Sequence, residues 1–280
     1  MKKKHKRINI ILALAFLAGL SLLLYPSIAD RWNAAHASRA IAGYAEKVAD
    51  LNEATYAKML SDAANYNKDR ANGYASTTLS EKDRIRYDSL LNVAGTGIMG
   101  YVEIEKLRIN LPIYHGTAES VLQRAAGHIE WTSLPTGGKS THCVISGHRG
   151  LPSAKLFTDL DQLHEGDTFT LHVLNKELTY EVDQIRIVKP EITKDLVVEK
   201  GKDYCTLVTC TPYGINSHRL LVRGHRVKTA QRGNVTADAT TVEPLMVAPI
   251  VAVPLLLVWL LFALKTPKGK HFPNNGGNRI

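Results

Sequence analysis

Three residues of types that serve acyl-transfer chemistry stand out along the chain: Cys210, His148 and Arg219. A thiol becomes a nucleophile when a neighbouring base or positive charge favours its thiolate. A histidine can give or take the protons of such a reaction, and an arginine can hold a carbonyl and stabilise the oxyanion formed at it. Residue types and spacing alone leave open whether Cys210 is a nucleophile or a buried thiol.

The local sequence places these residues at the ends of predicted strands. Cys210 ends an apolar run, and the Pro212 and Gly214 that follow predict the end of its strand. His148 lies in a glycine-flanked loop after another apolar run, and Arg219 begins the run after Cys210. We therefore expect the thiol at a strand mouth. Alternation divides the preceding residues between two faces, with Thr206, Val208 and Cys210 on one and Cys205, Leu207 and Thr209 on the other.

The strands that must position these residues lie between positions 98 and 227. At least seven short runs there are apolar or alternate apolar with polar residues, and Gly and Pro bound them. Such a set predicts a mostly β fold, closed or nearly closed into a barrel. Helical turns are predicted near 119–126 and 154–162.

A helical extension is predicted before the barrel. Residues 34–67 are rich in alanine, lack proline and carry a stripe at spacings of three and four. Ser80 predicts the start of a short helix to Leu91, after a polar surface loop. The stripe predicts a packed face and consists of Ile41, Tyr44, Val48, Leu51, Thr55 and Met59.

The positive charge of the chain belongs to its two ends. The formal net charge is +9, and segments 1–7 and 265–280 hold nine basic and no acidic residues. The remainder is formally neutral, so a nucleic-acid partner has no electrostatic support.

Two apolar segments lie just inside these basic ends. Residues 8–25 and 244–264 are uncharged and near the length of a membrane-spanning helix. The positive-inside rule then predicts a cell-membrane protein with both termini in the cytosol and residues 26–243 outside. Ser27-Ile28-Ala29 is also compatible with a signal-peptide cleavage site, although the length of the apolar segment favours an uncleaved anchor.

The sequence around the cysteine resembles a known family. The pentapeptide TLVTC, followed nine residues later by Arg219, resembles the signature of sortases, the transpeptidases of Gram-positive cell surfaces. SGHRGLPSAKLFTDLDQL and GYVEIEKLRINLPIYHG extend the resemblance to class C, the pilin-polymerising subclass, over about residues 40–228. The resemblance implies a closed eight-stranded sortase-type barrel with short helices, an N-terminal helical extension and a membrane helix at each end.

The resemblance also implies roles and a reaction. Cys210 would be the nucleophile, His148 the acid and base, and Arg219 the residue that positions substrate and stabilises the oxyanion. The thiolate would attack the Thr–Gly carbonyl of an LPxTG-like sorting signal, and a pilin lysine amine would resolve the thioacyl enzyme. No cofactor or metal is implied. A housekeeping sortase that uses a cell-wall amine, or a non-catalytic tethered binding module, remains an alternative.

Further residues are predicted around this site. Thr209, Thr211, Ser146 and Arg149 are predicted to contact substrate, with a solvated side chain as the alternative for Arg149. By family analogy, loop 190–201 would form a wall for the sorting signal. Trp131 is interpreted as a packing residue, with a rim contact to the signal as the alternative.

The other cysteines and histidines favour structural roles. Cys143 and Cys205 each lie five residues before a predicted catalytic residue, on strands that the family fold makes parallel neighbours. Two free buried thiols are expected in preference to a disulfide. The histidines lack metal-site spacing, so we expect surface or hydrogen-bonded core roles for His115, His128, His142, His172, His218 and His225.

One departure from the family pattern concerns the lid. Class C relatives carry an Asp-Pro-aromatic anchor over the cysteine, whereas this chain has Thr77-Thr78-Leu79 at the corresponding place. We therefore expect 66–92 to lie near the groove but to be held less firmly. Asp69 or Asp83 could substitute at the sulfur, although solvated loop acids are the simpler interpretation.

The predicted layout is a basic cytosolic tail, a transmembrane helix or signal anchor, a helical extension with a degenerate lid, the catalytic barrel, a linker, a second transmembrane helix and a second basic tail. The corresponding ranges are 1–7, 8–25, 26–97, 98–228, 229–243, 244–264 and 265–280.

Overall fold

The computed structural model describes the backbone of residues 2–72, 77–93 and 95–229 and the side chains of 8–71, 77–93 and 95–229. The predicted second membrane helix and C-terminal tail lie outside these residues, as does the linker beyond residue 229.

Three helices precede the barrel: α1 (Lys2–Ala49), α2 (Glu53–Asn72) and α3 (Glu81–Ser89). The single helix predicted over 34–67 is in fact broken at 50–52, where the side chain of Asn52 accepts a hydrogen bond from the Thr55 amide (2.8 Å) and so caps α2. The predicted cap of α3 is confirmed, because the Ser80 hydroxyl accepts from the Asp83 amide.

The N-terminal part of α1 is apolar and exposed. The helix stretch Ile8–Ala49 contains an 18-residue window with a mean hydropathy of 2.3, of which none is buried. By length and composition it could therefore cross a membrane. The barrel and the helices that pack on it belong to a separate compact unit, Tyr25–Gln231.

Eight strands close into the barrel, one more than the minimum predicted. Their order around it is β1-β2-β3-β4-β7-β8-β6-β5, with β2–β3 and β4–β7 parallel and the remaining pairs antiparallel. The strands are β1 (Ile98–Ile104), β2 (Ile109–His115), β3 (Ala126–His128), β4 (Thr141–Ser146), β5 (Thr168–Val173), β6 (Lys176–Val188), β7 (Asp203–Thr211) and β8 (His218–Arg226).

Short helical pieces decorate the connections. Helix α4 (Glu119–Leu122) lies within the first predicted turn, and a 3₁₀ turn, Leu160–Gln162, occupies only the end of the second. Two further 3₁₀ turns are Glu105–Leu107 and Lys194–Leu196.

The alternation along β7 divides its side chains as predicted. Cys205 and Leu207 belong to the large cluster of buried apolar side chains inside the barrel. Val208 belongs to a second, smaller cluster with Val144, Leu196 and Leu221, and Trp131 packs against it. The packing interpretation of Trp131 is therefore confirmed, and the turn containing Leu196 covers one face of the sheet.

Buried polar contacts join the helical extension to the barrel. The Tyr44 hydroxyl donates to the Met99 carbonyl (3.0 Å) and accepts from the Leu174 amide (2.7 Å). The Asn67 side chain donates to the Leu134 carbonyl and accepts from its amide. Because Tyr44 lies on the predicted apolar stripe, the packed face that the stripe predicts is confirmed.

Candidate active site

The register of two antiparallel strands brings the cysteine and the arginine together. Cys210 near the end of β7 and Arg219 near the start of β8 are directly paired residues. Cα partners in an antiparallel ladder have Cβ atoms about 4.5–5.5 Å apart on the same face. The thiol and the guanidinium stem therefore rise from one side of the barrel rim.

A parallel pairing brings the histidine loop to the same place. Strand β4 runs beside β7 with Ser146 paired to Val208, so His148, two residues further on, follows the chain toward the level of Cys210. The pairing continues past the strand, because the Gly147 amide donates to the Val208 carbonyl (3.0 Å). In return, the Thr209 hydroxyl donates to the Gly147 carbonyl (2.8 Å). Residues next to both predicted catalytic side chains are thus hydrogen-bonded to each other.

The three side chains differ in surroundings but none is sealed in the core. Cys210 is partly exposed and the His148 side chain is 26% exposed. One guanidinium nitrogen of Arg219, Nη1, donates to the carbonyls of Asn216 (3.2 Å) and His218 (3.1 Å). Two carbonyls from its own turn therefore orient the guanidinium.

Phe157 holds the backbone of Gly147 and His148 in place. The Phe157 amide donates to the His148 carbonyl (3.1 Å), and the Phe157 side chain is fully buried. A Cβ atom at Gly147 would lie 2.6 Å from this ring, so no larger residue fits there without displacement. The glycine is required for the close approach of ring and backbone.

The side chain of Arg149 is mostly covered by its neighbours, and the interpretation of a solvated side chain is wrong. Its side chain is only 10% exposed, it forms an ion pair with Asp161, and its guanidinium lies 5.9 Å from the centroid of the Tyr213 ring. The same ring packs on Gly150, whose φ of +76° suits glycine. Arg149 thus links the loop after β4 to the loop after β7.

The two threonines predicted to contact substrate are buried in the structure. Thr209 and Thr211 are 1% and 7% exposed, and the Thr209 hydroxyl is engaged by Gly147. Both point into packed surroundings because they share the inward face of β7 with Cys205. Ser146 at the end of β4 is partly exposed, and the substrate contacts of Thr209, Thr211 and Ser146 stay a prediction.

Cys143 and Cys205 are paired neighbours on β4 and β7, and both are free and buried. The expectation of two facing core thiols is confirmed. Burial raises the pKa of the Cys205 thiol well above its usual range, so this sulfur stays protonated.

Two histidines are hydrogen-bonded core residues, as expected. His128 Nε2 faces the Ser133 carbonyl (2.8 Å) and Nδ1 faces the Tyr87 hydroxyl (2.9 Å). His142 Nδ1 faces the Val197 carbonyl (2.9 Å) and Nε2 the Thr206 hydroxyl (2.7 Å).

Parts of the predicted lid region, 66–92, are packed on the barrel. Leu79 and Tyr87 are buried in the main core, and the Tyr87 hydroxyl accepts from the Gly116 amide. Asp69 pairs with Arg86 (2.8 Å), and Asp83 accepts from Ser80 (2.8 Å), so both acids serve contacts near α3. The lid itself falls partly on 73–76, outside the described residues, and its loose attachment stays a prediction.

Sequence reasoning did not single out three residues that contact His148 or its neighbour Arg149. Glu119 Oε2 lies 3.4 Å from His148 Nε2, and Asp161 and Tyr213 contact Arg149. Glu119 is 29 positions from His148 in the chain, so no local pattern signals the contact. Tyr213 directly follows Pro212, which marks the predicted end of the strand, and this position at a strand mouth was an available signal in the sequence.

Together, the closed barrel and the rim that joins β4, β7 and β8 define a class of protein: a cysteine enzyme built on a β-barrel. Comparisons with known proteins identify the family. Residues 102–227 match the model of the sortase domain. Sortase D of Bacillus subtilis is 29% identical over 156 residues, which cover 55% of this chain and 76% of that protein.

Solved structures give closer matches. Sortase C1 of Streptococcus agalactiae is 53% identical with a TM-score of 0.67, and the match covers 69% of this chain and all of that one. Clostridium perfringens sortase C, solved with the C-terminal cell wall sorting motif, is 42% identical with a TM-score of 0.61, over 69% of this chain and all of that one. The chain belongs to the sortase family of cysteine transpeptidases, and these structural relatives are class C sortases.

Proposed function

We propose that the protein is a pilin-polymerising sortase that uses Cys210, His148 and Arg219. The observation that carries this proposal is the register that pairs Cys210 with Arg219 and aligns the His148 loop beside them. The likeness to sortases C with 42–53% identity supports the pilin subclass.

The first half of the reaction is cleavage. The Cys210 thiolate attacks the Thr–Gly carbonyl carbon of an LPxTG-like sorting signal, and the carbonyl π electrons move to oxygen. Arg219 stabilises that oxyanion. As the C–N bond breaks, His148 gives its proton to the departing glycine nitrogen, which leaves a thioester on Cys210.

The second half is transfer. A lysine amine of a pilin subunit attacks the thioester carbon, His148 accepts the proton that the amine loses, and the Cys210 thiolate departs. The product is an isopeptide bond. Because the thioester retains the energy of the cleaved amide, the exchange runs without a further energy source.

Two features support a peptide groove beside these residues. The turn that contains Leu196 lies over Val208 and Leu221 on the outer face of the sheet, so loop 190–201 stands next to the strands that carry Cys210 and Arg219. Exposed apolar side chains of this loop, Ile192 and Val197, are available to a peptide. We propose this loop as the wall for the sorting signal.

We also propose that the apolar segment of α1 anchors the catalytic barrel to the outer face of a Gram-positive cell membrane. The exposed window of high hydropathy supports the anchor. The basic residues that precede this segment, Lys2, Lys3, Lys4, Lys6 and Arg7, support a cytosolic N-terminus.

The acceptor distinguishes this function from the housekeeping one. The full chain in detergent is incubated with a pilin that bears an LPxTG-like signal, with Cys210→Ala as the control. We expect ladders resistant to SDS, with isopeptide-linked lysine detected by mass spectrometry, only from the wild type. Transfer to a cell-wall-type amine but never to pilin lysine would contradict the proposal in favour of the housekeeping function.

A further inference from the structure

We infer that Glu119 is a positioning residue for His148 during acyl transfer, an inference that rests on the proposed function. Its carboxylate oxygen Oε2 lies 3.4 Å from His148 Nε2. Helix α4 supplies the carboxylate, whereas the loop after β4 supplies the imidazole, so the contact joins two separate parts of the rim.

The carboxylate is held by Gln123, the residue that follows the last residue of α4. The Gln123 side-chain amide, one turn further along, donates to Glu119 Oε1 and leaves Oε2 directed at the histidine. Hydrogen bonds from Gln123 and then from His148 lower the pKa of the Glu119 carboxyl from its usual value. Glu119 is therefore ionised at neutral pH and presents a negative charge to the imidazole.

This contact assigns the two ring nitrogens of His148 to different tasks. An ionised carboxylate accepts hydrogen bonds only, so Nε2 faces it with a proton attached. Among the described residues Nδ1 has no hydrogen-bond partner, so this nitrogen is left for the reaction. Nδ1 then gives its proton to the departing glycine amine and later accepts one from the lysine, while the other proton stays on Nε2 and is donated in a hydrogen bond to Glu119.

The charge of Glu119 also acts on the protonated ring. Glu119 on α4 contacts His148, Arg149 adjoins it in the loop after β4, and the strand register brings Cys210 on β7 and Arg219 on β8 to the same rim. Arg149 is paired with Asp161, so its charge is compensated. Glu119 is the carboxylate in contact with the ring, and it stabilises the imidazolium that must exist before the amine departs.

The variant Glu119→Gln tests this role because it keeps an oxygen that can accept from Nε2 but removes the charge. The Glu119 side chain is 69% exposed, so the change should leave folding intact, which circular dichroism verifies. The matched control is Glu165→Gln, an exposed glutamate on the turn before β5. Both full-length variants are assayed in detergent with a fluorogenic LPxTG-like peptide.

We expect kcat to fall about two- to fivefold in Glu119→Gln, the range of an exposed ion pair, with KM unchanged. Raising the salt to about 1 M should narrow the difference from wild type, since an exposed pair is screened.

A kcat for Glu119→Gln that matches wild type and Glu165→Gln at both low and high salt would overturn the inference. That result is distinct from failure of the proposed function, in which the wild type itself forms no thioacyl enzyme. The variant Gln123→Ala is a second test. It retains the charge of Glu119 but removes the hydrogen bond that holds the carboxylate, so we expect a smaller fall in kcat than for Glu119→Gln. A larger fall would also contradict the inference.

Discussion

Strands β4 and β7 position two pairs of residues in very different surroundings. On each chain segment the two residues are five positions apart. At the buried level Cys143 and Cys205 face each other among apolar side chains. At the rim the same two strands lead to His148 and Cys210, where the thiol is partly exposed. The odd spacing turns the side chain of Cys210 to the face opposite that of Cys205. The reactivity of a cysteine on β7 therefore depends on its position along the strand and on the face of the sheet to which its side chain points. The residue type alone does not decide it.

The largest effect expected from this contrast is in thiol reactivity. Iodoacetamide added to the native full chain should label Cys210, and should label Cys143 and Cys205 at least about a thousandfold more slowly, because those thiols react only when the barrel opens. Peptide mapping by mass spectrometry gives the three rates, and urea-unfolded protein is the control. Rapid labelling of Cys210 would also support the loosely held lid. A core thiol that reacts as fast as Cys210 would remove the contrast.

The next effect concerns the guanidinium at the rim. Arg219→Lys keeps a positive charge but loses the planar fork of donors. If the fork stabilises the oxyanion, kcat/KM for an LPxTG-like peptide should fall about 10²–10³-fold, as for loss of an oxyanion donor. The matched control is Arg226→Lys at the other end of β8, which should retain activity. Equal activity of the two variants would place the oxyanion elsewhere.

A third prediction concerns the buried part of the barrel and the dependence of its unfolding free energy on pH. Burial lowers the pKa of His142 from 6.5 in the folded protein, so the unfolded chain binds this proton more readily. Stability is then fully present above pH about 6.5 and is lost as the pH falls below it, by at most about 1.4 kcal/mol per pH unit. Urea unfolding of the full chain between pH 7.5 and 5 measures the slope in about half-unit steps.

The variant His142→Asn should reduce that slope, because it removes the titrating group and retains a donor. His115, whose pKa burial also lowers, accounts for part of the remaining slope. The control is His164→Asn, since this side chain is 78% exposed. A slope in His142→Asn as steep as in the wild type would show that His142 does not titrate on unfolding.

The smallest effect concerns the bond between the two loops of the rim. Thr209→Val removes the hydroxyl that donates to the Gly147 carbonyl and should cost about 1 kcal/mol of unfolding free energy. Activity should fall with it, because Gly147 directly precedes His148. The exposed Thr168→Val at the start of β5 serves as the control. A Thr209→Val variant with unchanged stability would mean that the bond contributes nothing to the rim.

Much of this arrangement could be predicted from local sequence. The two-residue period and the Pro212 and Gly214 that follow it place Cys210 at a strand end, and Ser80 marks the start of α3. The pairing between strands that are distant in the sequence could not be predicted in this way. The contact of Cys210 with its neighbours depends on which strands pair and in which register, and only the family resemblance indicated it.

Two kinds of feature escaped prediction for physical reasons. The cover over the Arg149 side chain depends on Asp161 and Tyr213, which come from two separate loops and meet only in the folded barrel. The break between α1 and α2 depends on the Asn52 cap within a segment whose composition favours helix throughout. Local secondary-structure propensity predicts neither contact.

The most direct test of the account is where an acyl group becomes attached. The full-length enzyme is mixed with an LPxTG-like peptide, quenched in acid within seconds, digested and mapped by mass spectrometry. We predict a thioester on the peptide that contains Cys210, and none in Cys210→Ala. An adduct on Cys143 or Cys205, or cleavage that persists in Cys210→Ala, would contradict the central claim.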